Sequence, residues 1–322
     1  MKTLTDSAAQ NETALKLSKA NKYGALYFLR RDWQLYALLL LPLAMVLVFK
    51  YASMFGLTIA FQNYKIAKGF WGSEWVGFEV FQQIFSKPDF SRAIRNTLML
   101  NILDLIFSFT APIVLALLLN EVKSLMFKRV NQTLLYLPHF LSWVIIGAIA
   151  YQLLSEGTGM VNNVIEQLGG VRIPFLQEDT NWLISYLLIG VWQSMGWGTI
   201  IYLAAMSGIN PELYEAAIVD GAGRWRKMWN VTLPSIRMTI VTLLILSLGN
   251  VMGGSFERIL ALQNKATTEF TTTIPVLVYR WGIESGDFSR ATALGLFQSV
   301  IGLVLVLIAD RIAKKLGEDG LI

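Results

Sequence analysis

Six stretches of this chain are apolar at nearly every position for about the 20 residues that a hydrocarbon core of about 30 Å requires, and polar segments separate them. They run near Trp33 to Met54, Thr97 to Leu119, Leu134 to Leu154, Trp182 to Met206, Met238 to Phe256 and Ala293 to Ala309. The pattern predicts an all-α, polytopic membrane protein with six transmembrane helices. Residues 1–32 are predicted to be a separate cytoplasmic arm, and residues 33–322 the six-span domain.

Composition agrees with the pattern. With 54% hydrophobic and 15% charged residues the chain is too apolar for a soluble globule, and it is too long for a single anchor. Placing the N-terminus inside puts 16 of the 27 Lys and Arg in cytoplasmic segments, including Lys123, Lys128, Arg129, Arg224, Arg226, Lys227 and Arg237. Six crossings then return the C-terminus to the cytoplasm. Residues 1–32 carry Lys16, Lys19, Lys22, Arg30 and Arg31 and lack the apolar core of a cleavable signal, so the first span is expected to be its own insertion signal. The arm either lies on acidic membrane lipid or is a disordered tail. The first outside loop, with Tyr64, Phe70, Trp71, Trp75, Phe78 and Phe81, reads as interfacial anchoring plus a small folded element. Zero cysteines rule out disulfides and thiolate chemistry.

The cytoplasmic loop 208–236 has its own signature. Asn210 is placed to cap a helix beginning at Pro211, with Glu212 and Glu215 in or near its positively polarised first turn. Gly221 and Gly223 allow a reversal before a second amphipathic helix from about Arg224 to Thr232, which Pro234 is expected to stop. Leu213, Tyr214, Ala217 and Ile218 are expected on the presented face, with Ala216 and Ala217 leaving room for close approach by a partner. Glu215-Ala-Ala217, Gly221 and Val231-x-Leu233-Pro234 stand at the spacing of the EAA loop, so the chain resembles the permease subunits of ATP-binding-cassette importers. The resemblance implies a type I importer permease fold, with Glu215 and its neighbours contacting an ATPase.

Groups that an enzyme would need for chemistry are few in the sequence. No P-loop is present, and the single His139 cannot make a metal site; it is expected to be a hydrogen-bonded bundle residue. Polar residues within the spans form stripes instead: Gly190, Gln193 and Trp197 on the fourth, Ser247, Asn250, Gly254 and Glu257 on the fifth, and Gly295, Gln298 and Gly302 on the sixth. Either they line a polar path, for which Gln193, Trp197, Asn250, Glu257 and Gln298 are the candidates, or they serve close helix packing. Amides with an indole suit a sugar, which offers hydroxyls and C–H faces. Asp104, in the middle of the second span, supports an alternative reading as a proton-coupled secondary transporter, but no basic partner is apparent at its depth.

Beyond the loop, Gly254-Ser-Phe-Glu-Arg-Ile259, Val278-Tyr-Arg-Trp-Gly282, Phe288-Ser-Arg-Ala-Thr-Ala-Leu-Gly-Leu-Phe297 and Ile308-Ala-Asp-Arg-Ile-Ala-Lys-Lys315 carry a narrower likeness. They are similar to the carbohydrate-uptake permeases that include the maltose transporter subunits, and most to a branch taking up oligosaccharides and polysaccharide fragments, alginate-type oligouronates among them. That likeness implies a second homologous permease subunit, a homodimeric ATP-binding cassette ATPase that uses ATP and Mg, an extracytoplasmic solute-binding protein and a place in the bacterial inner membrane. No cofactor in this chain and no nucleic-acid partner are expected. The implied mechanism is alternating access driven through the docked loop.

Overall fold

The computed structural model describes residues 30–315, 317 and 320. The expected surface-lying or disordered arm falls mostly in residues 1–29, outside the described residues. The chain divides into two units, Met1–Thr58 and Ile59–Ile322.

In the first unit the helix α1 starts at Trp33 after an Arg31–Asp32 ion pair of 2.9 Å. Helical backbone continues through a wide turn at Leu47–Tyr51 and into a tighter helix, Ala52–Phe61, whose last three residues belong to the second unit. Pro42 lies inside it and leaves one carbonyl without its helical donor. Its leucines are exposed, as suits a helix whose solvent is lipid.

The second unit is almost wholly helical. A two-stranded antiparallel ribbon, β1 (Gln62–Asn63) with β2 (Glu74–Trp75), opens it, pairing Gln62 with Trp75. Phe61 stacks on Trp75 and meets Phe78 edge-on, so the aromatic loop is a folded element as expected. Then follow α2 (Glu79–Phe85), α3 (Pro88–Asn120), α4 (Leu125–Tyr136), α5 (Trp143–Leu154), α6 (Met160–Gln167) and α7 (Asp179–Ser207). The remainder comprises α8 (Pro211–Val219), α9 (Arg224–Ser235), α10 (Arg237–Gly249), α11 (Phe256–Leu262), α12 (Ile274–Tyr279) and α13 (Phe288–Lys315). Among the described residues four helices are long and apolar enough to cross a membrane, and six spans result if each of two bent pairs is one.

Two breaks correct expected straight spans. The third run breaks at Leu141–Ser142: a tight turn at Leu137–Phe140 ends the first half, Ser142 caps α5 by accepting from Ile145 N, and the halves meet at 102°. Pro138 presets such a turn and offers no N–H. In the fifth run the helix stops at Gly249, irregular backbone follows to Ser255, whose φ is +67°, and α11 begins anew.

Irregular backbone at this depth is tolerated where protein satisfies it. One face of α3 does so. Asn101 donates to the carbonyl of Val251 (2.7 Å), Asn96 to those of Glu269 and Thr272, and Thr97 Oγ1 accepts from Ile274 N (2.8 Å). Around these bonds Leu100, Trp182, Tyr186, Ile259, Leu262 and Val276 form a fully buried core, with Trp182 Nε1 donating to Leu262 O at 2.9 Å.

Candidate functional site

The bends open a cavity of about 480 Å³ inside the second unit. α3 contributes Asn101, Asp104 and Ser108, and α7 contributes Gly190, Gln193 and Trp197. The bend before α5 brings His139 and Trp143; α10 and its irregular continuation bring Ser247, Asn250 and Ser255; α11 brings Arg258.

Two kinds of chemistry share this space. The first is a flat aromatic surface: His139 stacks on Trp197 with centroids 4.7 Å apart and planes 6° from parallel, and Phe140 meets the indole edge-on. Trp197 keeps 47% of its surface exposed, leaving much of the ring open. The amides of Gln193 and Asn250 supply donors and acceptors along the same wall.

The second is an ion pair. Asp104 and Arg258 approach to 2.8 Å, and Arg258 is 3% exposed. Arg258 Nη2 also donates to Tyr186 Oη (2.7 Å) and Ser255 Oγ (2.9 Å), and its guanidinium lies 3.9 Å from the Tyr186 ring centroid. Asp104 accepts from Ser108 (2.7 Å) and Ser255 (3.3 Å). A buried charge persists only when paired and hydrogen-bonded, and both members are. Asp104 therefore has the basic partner that the sequence did not suggest. Reading the fifth span as one helix through Phe256 carries Arg258 beyond the membrane's depth, whereas the actual break folds it back beside Asp104.

Of the five path candidates, Gln193, Trp197 and Asn250 line this cavity. Glu257 is exposed and outside it, because the restart at Phe256 turns Arg258 rather than Glu257 inward. Gln298 also stands outside, against Gly253. Gly302 of the same stripe packs closely: a Cβ there would meet the Gly249 carbonyl oxygen at 2.9 Å, so α13 and α10 touch backbone to backbone. His139 departs from expectation too, since its Nδ1 is buried without a hydrogen bond and its ring is held by stacking.

The docking segment forms from its local sequence. Asn210 Oδ1 accepts from Glu212 N at 3.1 Å, and Pro211 opens α8. Gly221, at φ +74°, ends it: Ala222 N donates to Ala217 O and Gly221 N to Ile218 O, a Schellman closure. Tyr214 Oη and Thr232 Oγ1 lie 2.9 Å apart, tying α8 to α9. Leu213 and Ile218 are exposed, as are Glu212, Glu215 and Ala216, with Val219, Trp225 and Trp229 beside them. Tyr214 and Ala217, expected on the presented face, are half-buried instead. Nor does Pro234 end the second helix. Its ring presets a helical φ, the chain stays helical to Ser235, and the 61° bend into α10 comes after it.

Residues 108–318 match the family of binding-protein-dependent transport system inner membrane components. The chain belongs to that family. Over 294 residues this permease is 47% identical to Protein LplB of Bacillus subtilis (strain 168), covering 91% of the permease and 92% of the relative. It is 43% identical over 321 residues, with 100% of both chains covered, to the polygalacturonan/rhamnogalacturonan transport system permease protein YteP of the same organism. A chain of a bacterial alginate ABC transporter, solved in complex with an alginate pentasaccharide-bound periplasmic protein, superposes with a TM-score of 0.84 at 39% identity. That match covers 92% of the permease and 99% of the other chain. The permease is thus an inner-membrane transport component rather than an enzyme.

Proposed function

We propose that this permease forms half of the translocation path of an ATP-driven importer for oligosaccharides released from acidic polysaccharides. The observation that carries the reading is the cavity in which an open indole, stacked on His139, faces the amides of Gln193 and Asn250. A sugar ring fits such a wall, laying C–H groups on the aromatic face and its hydroxyls on the amides. The acidic class rests on relatives named for polygalacturonan and for alginate.

In this reading α4 and α5 together count as one span and α10 as another, giving a six-span domain over residues 33–322 with both termini cytoplasmic. The loop 208–236 couples it to an ATPase through Glu212, Leu213, Tyr214, Glu215, Ala216, Ala217, Ile218, Gly221 and Pro234. A second homologous permease completes the path, a homodimeric ATPase docks below, and a solute-binding protein delivers from outside. ATP and Mg are used by the ATPase, and this chain itself holds no cofactor. Movement of the docked α8 and α9 as rigid levers swings the spans between inward-open and outward-open arrangements. The Asp104–Arg258 pair removes the lone carboxylate on which a proton-coupled carrier would depend.

Uptake of a labelled oligouronate by the reconstituted complex, with ATP held constant and the proton gradient collapsed, tests the proposal. Uptake is expected to continue. Uptake that stops with the uncoupler would overturn it.

A further inference from the structure

Arg258 is nearly closed off from solvent, yet much of its hydrogen-bonding capacity is unspent. Its contacts to Asp104, Tyr186 and Ser255 all end on Nη2. Nε is buried with no partner, and Nη1 bears no hydrogen bond in the structure. Nη1 lies against Gly190, where a Cβ would stand too close for the guanidinium to remain; only glycine admits it there. A buried donor without an acceptor is unfavourable, and a guanidinium fork matches a carboxylate with two parallel bonds. Asp104 does not use that fork, since its recorded contact is through Oδ2 to one nitrogen. Asp104 and Arg258 are the two oppositely charged residues of the cavity wall.

We propose that Arg258 reads a carboxylate of the transported glycan, and that Asp104 is a resident anion whose place the sugar's carboxylate takes. The cavity stays charge-balanced while empty, and the exchange frees Nη2 to act with the unpaired Nη1 or Nε as a two-bond edge toward an incoming uronate. Trp197 and His139 then hold the ring beside the carboxylate. This rests on the acidic-oligosaccharide reading above and assigns one residue to its selectivity.

The test uses the purified complex with trigalacturonate and its carboxyl-reduced neutral counterpart. Asp104→Asn leaves the Arg258 cation uncompensated, so the complex melts at a lower temperature. Trigalacturonate is expected to restore most of that loss, and the neutral trisaccharide none of it. If Asp104→Asn fails to assemble, the double variant Asp104→Asn/Arg258→Gln removes both charges together. It should lose a preference for trigalacturonate over the neutral glycan of about tenfold, read by tryptophan fluorescence as the ratio of the two affinities. If trigalacturonate binds the wild type but stabilises Asp104→Asn no more than the neutral glycan does, or if the double variant keeps the wild-type preference for it, the pair is structural and the proposal falls alone. If trigalacturonate does not bind the wild type, the acidic reading falls with it.

Discussion

The imidazole of His139 lies flat on the indole of Trp197, 4.7 Å away, and so joins the bend before α5 to α7. The contact explains how a histidine without a hydrogen bond at Nδ1 is held in place. It also gives the cavity its flattest surface. Trp197→Ala is expected to raise the half-saturating concentration of oligosaccharide about tenfold, equivalent to losing about 1.4 kcal/mol of aromatic contact. Trp197→Phe should recover part of it. Substrate-stimulated ATPase of the reconstituted complex measures both, and an unchanged dependence in Trp197→Ala would remove the ring from the path.

Asn250 and Leu246 separate path from packing. Both are exposed in the chain, but Asn250 lines the cavity and Leu246 does not. Asn250→Ala should slow transport with little change in melting temperature, whereas Leu246→Ala should change neither strongly. Equal loss of stability and rate in Asn250→Ala would assign that amide to packing.

Glu215 is exposed on α8, within reach of any docking protein. Glu215→Lys replaces an exposed anion by a cation beyond the first turn that holds Glu212, so the chain's own stability should change little while the charge offered to a docking protein is reversed. Membrane insertion should be intact while the ATPase subunit co-purifies in reduced amount. Full recovery of the ATPase with the variant would count against coupling through this helix.

Tyr214 and Thr232 carry the link between α8 and α9. Tyr214→Phe removes one hydrogen bond, about 1 kcal/mol, and leaves the ring in place. The docked ATPase should then turn over with less transport per ATP. Simultaneous counts of hydrolysis and uptake give the ratio, and an unaltered ratio would show that the two helices move together without this bond.

Asn101 satisfies the carbonyl of Val251 in the irregular backbone between α10 and α11. Asn101→Ala leaves that carbonyl unpaired and is expected to destabilise the fold by about 1–3 kcal/mol. Thermal unfolding of the purified complex measures it, and the loss should exceed that of Leu246→Ala.

Local sequence sufficed for much of this molecule. The six apolar runs, the Asn210 cap, the left-handed Gly221 and the face shared by Gly190, Gln193 and Trp197 are near-neighbour matters, set by side-chain polarity, φ preference and the 3.6-residue turn. The family likeness was legible for the same reason, in residues at fixed spacing within one loop. What only the tertiary structure decided is where the helices break and what faces inward after each break. Periodicity continues a helix through Asn250 to Glu257, and nothing nearby in the chain says otherwise. The irregular turn survives because Asn101, some 150 positions away, accepts the burden of one of its carbonyls. That break exchanges Glu257 for Arg258 at the cavity and sets Arg258 beside Asp104. Such a pairing is an energy between distant residues in a low-dielectric interior, and no local pattern records it.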